Sequence, residues 1–291
     1  MGVYFNNIDQ HSLQKEQIRF WDDNGYFVSD VLFNQKTIKL AGRHMARVFN
    51  QEYETNVPPN KIDWRPGDSE TKMKKLDNAW WSDYVIRNLV LSPAIGAIAA
   101  QLSRSKTIRL FQDQLLHKPG IGPISPRSGS VGWHQDWNYW KCTKPDHALT
   151  ARISLDGENQ ENGCMRVVPG SHIWPLQSTK MFFHSDTDIE KLPEFQVPDG
   201  ERINVALLEL QPGQVSFHHS RTIHGSGENR TNFARRTIIA HLLPGQTYYQ
   251  SGTGDHPWAT AVLANQKETG LQDGDKWEGN RFPIIYPYQD K

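Results

Sequence analysis

The chain has little cysteine: Cys142 and Cys164 are the two in 291 residues. That is too few for the disulfide framework of a small secreted domain, so free thiols in a reducing compartment are expected and the sequon Asn229-Arg230-Thr231 carries no weight. No sign of charge dominates. With 32 basic against 32 acidic residues, no global field selects nucleic acid or an anionic membrane, and a small-molecule partner fits better. No apolar run reads as a membrane span. The opening Met1-Gly2-Val3-Tyr4-Phe5-Asn6 lacks the basic start and apolar core of a secretory signal, and Asn6 departs from the myristoylation pattern, so a cytoplasmic location is expected. There is no internal repeat and no low-complexity tract.

What is present suffices for one large core. Hydrophobic residues make up 37% of the chain, and a barrel-based unit of this length is commonly a single domain. Helical signals come first. Ser12 can cap a helix carrying Leu13, Phe20 and Trp21, ended by Asn24-Gly25 before a strand at Tyr26-Phe27-Val28. Ile38, Ala41, Met45, Val48 and Phe49 follow the period of a buried helical face. Glu54 to Leu76 is polar and punctuated by Pro58-Pro59 and Arg65-Pro66-Gly67, which reads as a long functional loop. Ser92-Pro93 then opens a helix with Ile95, Ile98, Ala99 and Leu102 inward.

From Thr107 the period changes to two. Ile108, Leu110, Gln112, Gln114, Leu116 and Lys118 fall on one face, with Arg109, Phe111, Asp113, Leu115 and His117 on the other. If the first face is the interior, Gln112, Gln114 and Lys118 point into a cavity where buried polar groups need partners. Further strands are expected at Leu149–Leu155, Met165–Val168, Val205–Leu210, Gln214–His219 and Arg236–Leu243. Pattern leaves Met181 to Glu201 unassigned. Helices followed by many strands predict a mainly β fold with flanking α-helices, a double-stranded β-helix or cupin-like jelly roll. The expected organisation is a helical part over about 10–104, a jelly-roll core over about 105–245 and a C-terminal extension.

The chemistry concentrates at Gly132-Trp133-His134-Gln135-Asp136-Trp137-Asn138-Tyr139-Trp140. Residues two apart on an extended strand project to the same face, so His134 and Asp136 can bind one metal ion. A distant histidine would complete a two-histidine, one-carboxylate facial triad, the arrangement of non-haem Fe(II) oxygenases. His218, His219 and His224 all lie in one stretch. His224 is preferred, because Gly225-Ser226-Gly227 after it allows close backbone approach. His172, in a Pro-Gly-Ser-His turn, reads as structural.

These segments, together with Asn162-Gly163-Cys164-Met165-Arg166-Val167-Val168-Pro169-Gly170-Ser171-His172 and Arg235-Arg236-Thr237-Ile238-Ile239, closely resemble in order the phytanoyl-CoA dioxygenase (PhyH-like) family of Fe(II)/2-oxoglutarate oxygenases. The likeness covers most of the chain. It implies His134, Asp136 and His224 as iron ligands, 2-oxoglutarate chelated through its C1 carboxylate and C2 ketone, and O2 as oxidant. It also implies that Arg235 receives the distal carboxylate of 2-oxoglutarate as a bidentate guanidinium, with Ser226 adding a hydroxyl and Tyr139 standing near the co-substrate. Arg236 would face the other way. One position departs from the pattern: Arg152 stands where family members often carry an aromatic residue. Trp137 and Trp81, from a set of ten tryptophans, are candidates to pack on the substrate with Arg152, the loop from Glu54 closing over the metal. The implied activity is oxidation, most simply hydroxylation, of a C–H bond in a small metabolite with release of succinate and CO2. Alternatives from other classes are a redox-silent cupin-type isomerase or epimerase and a non-catalytic binding protein.

Overall fold

The computed structural model of the protein describes residues 11–120, 122, 129–177, 189, 195–251 and 270–287. Most of the stretch Met181–Glu201 lies outside them. Helix α1 (Lys15–Asn24) is capped by a reciprocal box between Gln14 and Gln17, so Ser12 lies before the helix and is not its cap. Trp21 is its buried residue, whereas Phe20 remains 41% exposed and packs edge-on against Tyr26. Strand β1 (Tyr26–Val31) leads to α2 (Gln35–Phe49), whose Asn34 cap accepts from the Thr37 amide and whose face Ile38, Ala41, Met45, Val48 and Phe49 is buried as the period predicts.

The polar stretch expected to be a loop contains β2 (Lys61–Ile62) and β3 (Lys74–Asp77), and β3 pairs with β4 (Ile108–Lys118). Short charged strands at a sheet edge carry little hydrophobic period, which is why pattern misses them. Next come α3 (Tyr84–Val90) and α4 (Pro93–Leu102). The span Tyr84–Leu102 is long and apolar enough to cross a membrane, contrary to the expectation from sequence, yet it breaks at Leu91-Ser92 into these two helices and is 67% buried inside the protein. It behaves as a core helix pair.

The remaining strands are β5 (Val131–His134), β6 (Thr143–Lys144), β7 (Leu149–Ser154), β8 (Met165–Val167), β9 (Ala206–Leu208), β10 (Gln214–His219), β11 (His224–Ser226), β12 (Arg235–Pro244), β13 (Tyr248–Tyr249) and β14 (Ile284–Tyr286). The large sheet runs β1-β10-β7-β12-β4-β3-β2 with β14 also on β4, and the small sheet runs β5-β11-β8-β9. All these pairings are antiparallel, giving the jelly roll expected from sequence. Helices cover the outer face of the large sheet, where Leu149, Ala151, Ile153, Val215, Phe217, Ile238, Ala240 and Leu242 join Ile38, Met45, Ile86 and Ile95 in one core.

A bulge in β4 corrects the face assignment. Pairing with β12 slips between His241, opposite Gln112, and Leu242, opposite Leu110, leaving Phe111 as the extra residue. Strict alternation therefore fails across Phe111. Ile108, Leu110 and Leu115 pack into the helical core, while Gln112, Gln114 and Lys118 pair with the inward residues His241, Ile239 and Arg235. The three polar side chains do line the interior, but not on the face of Ile108 and Leu110.

Candidate active site

Neighbouring strands of the small sheet set His134 and His224 side by side, since these residues are direct partners in the β5–β11 pairing. Gly225 permits this. A Cβ there would stand 2.9 Å from the Val131 carbonyl oxygen, so any larger residue would push β11 off β5. His134 donates from Nδ1 to the Gly132 carbonyl at 2.8 Å, and His224 from Nδ1 to the Thr222 carbonyl at 2.9 Å. A carbonyl only accepts, so Nδ1 carries the proton and the lone pair that a metal ligand needs sits on Nε2 of each ring. Both Nε2 atoms point at Asp136 Oδ1, at 3.5 Å from His134 and 3.6 Å from His224. The ligand atoms of the three residues lie within 4.8 Å of one another. Burial, followed by the neighbouring His134 and His218, holds His224 well below the ordinary histidine range, keeping it neutral.

The other carboxylate oxygen is already held. Asp136 Oδ2 accepts from Thr150 Oγ1 at 2.7 Å and from His218 Nε2 at 3.0 Å. Because the Thr150 hydroxyl spends its proton on Asp136, it must accept from His241 Nδ1, 2.9 Å away. The carboxyl is fully buried, which opposes ionisation, but His224, His134 and His218 outweigh this and hold it well below the usual carboxylate range. The result is a fixed carboxylate with one oxygen aimed at two imidazole lone pairs. That donor set suits a divalent metal in a facial arrangement.

A second polar cluster lies at the start of β12. Arg235 is 0% exposed, and its Nη1 donates to Glu158 Oε2 at 2.5 Å. Its Nε and Nη2, the side-on edge that matches a carboxylate bidentately, are buried with no partner. Lys118, opposite Arg235 in the sheet, donates to Ser226 Oγ at 2.7 Å and to the Gly227 carbonyl. Burial, then Arg235 and Arg152, push the Lys118 amine well below its ordinary value. Arg152 also faces inward and reaches Glu158 Oε2 at 3.2 Å. By contrast Arg236 faces outward and pairs with Asp156.

Other sequence candidates separate clearly. Tyr139 is buried with its ring 5.9 Å from that of His134, and burial followed by the Asp136 charge raises its phenol, which stays a proton donor. Trp137 is half-buried, its indole N–H fixed to the Thr143 carbonyl at 3.0 Å and Lys144 over its ring. Trp81 does not join the site: it packs into the helical core and lies beneath Arg281. Apolar burial on the outer face of the sheet draws it there. His172 binds the Asp22 carbonyl and is structural, and His219 packs beside Trp21 and His172.

Sequence reasoning missed Thr150 and His241 altogether and passed over His218 in favour of His224. It also missed Glu158, Lys75 and Asp77. Lys75 and Asp77 stand opposite Leu116 and Gln114 on the inner face, their charges 3.8 Å apart, and Lys75 lies close enough to feel Asp136. A two-residue strand register in β3 would have revealed them, but nothing in that polar stretch announces it.

Residues 21–237 match the family model for phytanoyl-CoA dioxygenase (PhyH). A probable alpha-ketoglutarate-dependent hypophosphite dioxygenase from Stutzerimonas stutzeri is 26% identical over 269 residues, which are 87% of each protein. Among solved structures, the non-heme alpha ketoglutarate dependent carbocyclase SnoK from nogalamycin biosynthesis has a TM-score of 0.70 at 24% identity, over 94% of this chain and 96% of its own. The epimerase SnoN, solved with Fe3+, alpha ketoglutarate and nogalamycin RO, has a TM-score of 0.67 at 23% identity over 93% and 98%. At these identities the two structures speak to the fold. The family match runs from the first helix into β12, across both polar clusters, and the chain belongs to the phytanoyl-CoA dioxygenase (PhyH) family.

Proposed function

We propose that this protein is an Fe(II)- and 2-oxoglutarate-dependent oxygenase that hydroxylates a C–H bond of a small polar metabolite. The observation that carries the reading is the convergence of the two Nε2 lone pairs of His134 and His224 on Asp136 Oδ1, with Oδ2 tied back by Thr150 and His218. Iron held by these residues would, with 2-oxoglutarate and O2, supply an oxidant able to break an unactivated C–H bond. The chain's own contribution is position, charge and the exclusion of water.

The co-substrate assignment rests on the orphaned side-on edge of Arg235, a buried bidentate donor that a carboxylate would satisfy. Lys118 and Ser226 border it and add donors. Gln112, Gln114, Lys75 and His241 continue the inner face past the triad. His241 Nε2 carries a lone pair, is buried and has no partner, so it favours a substrate that offers an N–H or O–H. Asp136 keeps the carboxylate whose loss would open a halide position, so oxidation by hydroxylation is favoured over halogenation.

The test is O2-dependent release of succinate from 2-oxoglutarate by Fe(II)-loaded protein across a panel of polar metabolites, with product identified by mass. A stimulating metabolite that gains one oxygen supports the proposal. Conversion without oxygen gain, as in ring closure with loss of two hydrogens or epimerisation at unchanged mass, would overturn hydroxylation while leaving the oxygenase reading in place.

A further inference from the structure

We propose that Glu158 is a built-in counter-charge beside the seat of the distal carboxylate of 2-oxoglutarate, and that the Arg152–Glu158 pair sets how tightly the enzyme holds that co-substrate. This rests on the reading of Arg235 as the distal anchor. Two observations point to it. Arg152 turns inward from β7 beside Arg235, and both guanidiniums meet one buried carboxylate, that of Glu158, a residue with no role in the triad.

 Arg152 Nη2 lies 3.2 Å from Glu158 Oε2, and Arg152 Nη1 is buried with no partner.

Glu158 is held in place by the backbone. Its amide donates to the Leu210 carbonyl at 2.7 Å and its own carbonyl accepts from the Leu210 amide at 2.9 Å. Its carboxylate takes the donors that flank the edge left to a bound dicarboxylate: Arg235 Nη1 at 2.5 Å and Arg152 Nη2 on Oε2, and the Thr237 hydroxyl at 3.0 Å on Oε1. Burial opposes its ionisation, but Arg152, Arg235 and Thr237 outweigh this and leave it at about 2, so it is charged at neutral pH.

A second carboxylate docking on the side-on edge of Arg235 would share one guanidinium with Glu158. Like charges so close, in dry surroundings, repel. Even with the Lys118 amine neutral, the guanidiniums of Arg152 and Arg235 exceed Glu158 by one charge, which one incoming carboxylate neutralises. Removing the Glu158 charge leaves both guanidiniums uncompensated, so the empty protein is less stable and the co-substrate is drawn in more strongly. Removing Arg152 has the opposite effect, because Glu158 then neutralises Arg235 alone.

The test is calorimetric titration of Mn(II)-loaded protein with 2-oxoglutarate, and with glutarate, which keeps the distal carboxylate but has no ketone to chelate metal. Glu158→Gln, which keeps the shape and removes the charge, is expected to bind both about tenfold more tightly, a modest coupling between neighbouring sites. Its ligand-free melting temperature should fall, with a larger rise on saturation. Arg152→Met should bind both more weakly. A merely structural role would weaken binding in both variants. Unchanged or weaker binding by Glu158→Gln overturns the proposal, and so does unchanged binding by Arg152→Met, which decides the matter if Glu158→Gln does not fold. If wild-type protein binds 2-oxoglutarate and Arg235→Ala does not, while Glu158→Gln matches wild type, the inference fails and the co-substrate reading stands. If wild-type protein binds none, both fail.

Discussion

Replacing Thr150 by valine keeps the shape of the side chain and removes one hydroxyl at the point where three groups meet. Thr150 Oγ1 donates to Asp136 Oδ2 at 2.7 Å and accepts from His241 Nδ1 at 2.9 Å. The first bond ends on a carboxylate, and a hydrogen bond to a charged group contributes about 1.5–3 kcal/mol. The second leaves a buried donor on His241 unsatisfied, at a cost of about 1–3 kcal/mol. Metal-free Thr150→Val should therefore lose on the order of 2–4 kcal/mol of stability after partial relaxation. His218 alone would then restrain Asp136 Oδ2, and Oδ1 would no longer be aimed at the two imidazoles. Loss of such an outer partner typically lowers metal affinity by about 10–100-fold. The assay is anaerobic titration with Fe(II), alongside chemical denaturation of the metal-free protein. Thr150→Ser retains the hydroxyl and should restore most of both properties. Metal affinity within about twofold of wild type in Thr150→Val would refute the reasoning, as would a Thr150→Ser protein as impaired as the valine variant.

Arg235→Ala should weaken 2-oxoglutarate binding by about a hundredfold, the loss of a charge-assisted bidentate contact. Arg236→Ala breaks the partly buried pair with Asp156 and one bond to the Gly42 carbonyl, and should cost on the order of 1–2 kcal/mol of stability; equal effects on co-substrate affinity would count against the assignment. His219 and His241 are both pushed down to about 3, chiefly by burial, against 6.5 in the unfolded chain. The unfolded chain therefore binds more protons below pH 6.5, so stability is full above that pH and falls beneath it, by up to about 1.4 kcal/mol per pH unit for each histidine. Urea midpoints at pH 7 and pH 5 measure this, and His219→Gln should flatten the difference; equal midpoints in wild type would contradict it. Gly163 has φ +72, and a Cβ there would stand 2.4 Å from the Gly227 carbonyl oxygen. Gly163→Ala should destabilise by on the order of 3 kcal/mol and disturb the chain after His224, so a thermal melt matching wild type would be unexpected.

The triad was legible because its chemistry is local: His134 and Asp136 sit two apart, and His224 precedes a glycine that lets β11 approach β5. Arg235 was legible through its family position. What supports these residues was not. Thr150, His218 and His241 come from three neighbouring strands of the large sheet, and only the β10–β7–β12 register brings them to Asp136. Glu158 follows β7 in a turn that gives no period. The bulge at Phe111 shifts the inward face by one residue, which alternation alone does not anticipate. Trp81 follows a polar stretch that suggested a lid, yet burial against the helices governs its position.

The most direct measurement is metal and co-substrate stoichiometry of the purified chain under anaerobic conditions, followed by admission of O2. Wild-type protein should bind one Fe(II) and one 2-oxoglutarate per chain, then release succinate and CO2 only after O2 is admitted. His134→Ala, Asp136→Ala and His224→Ala should each lose the metal while His218→Ala retains it more weakly. Full metal binding by His224→Ala, or wild-type protein that holds iron but never consumes 2-oxoglutarate, would contradict the account.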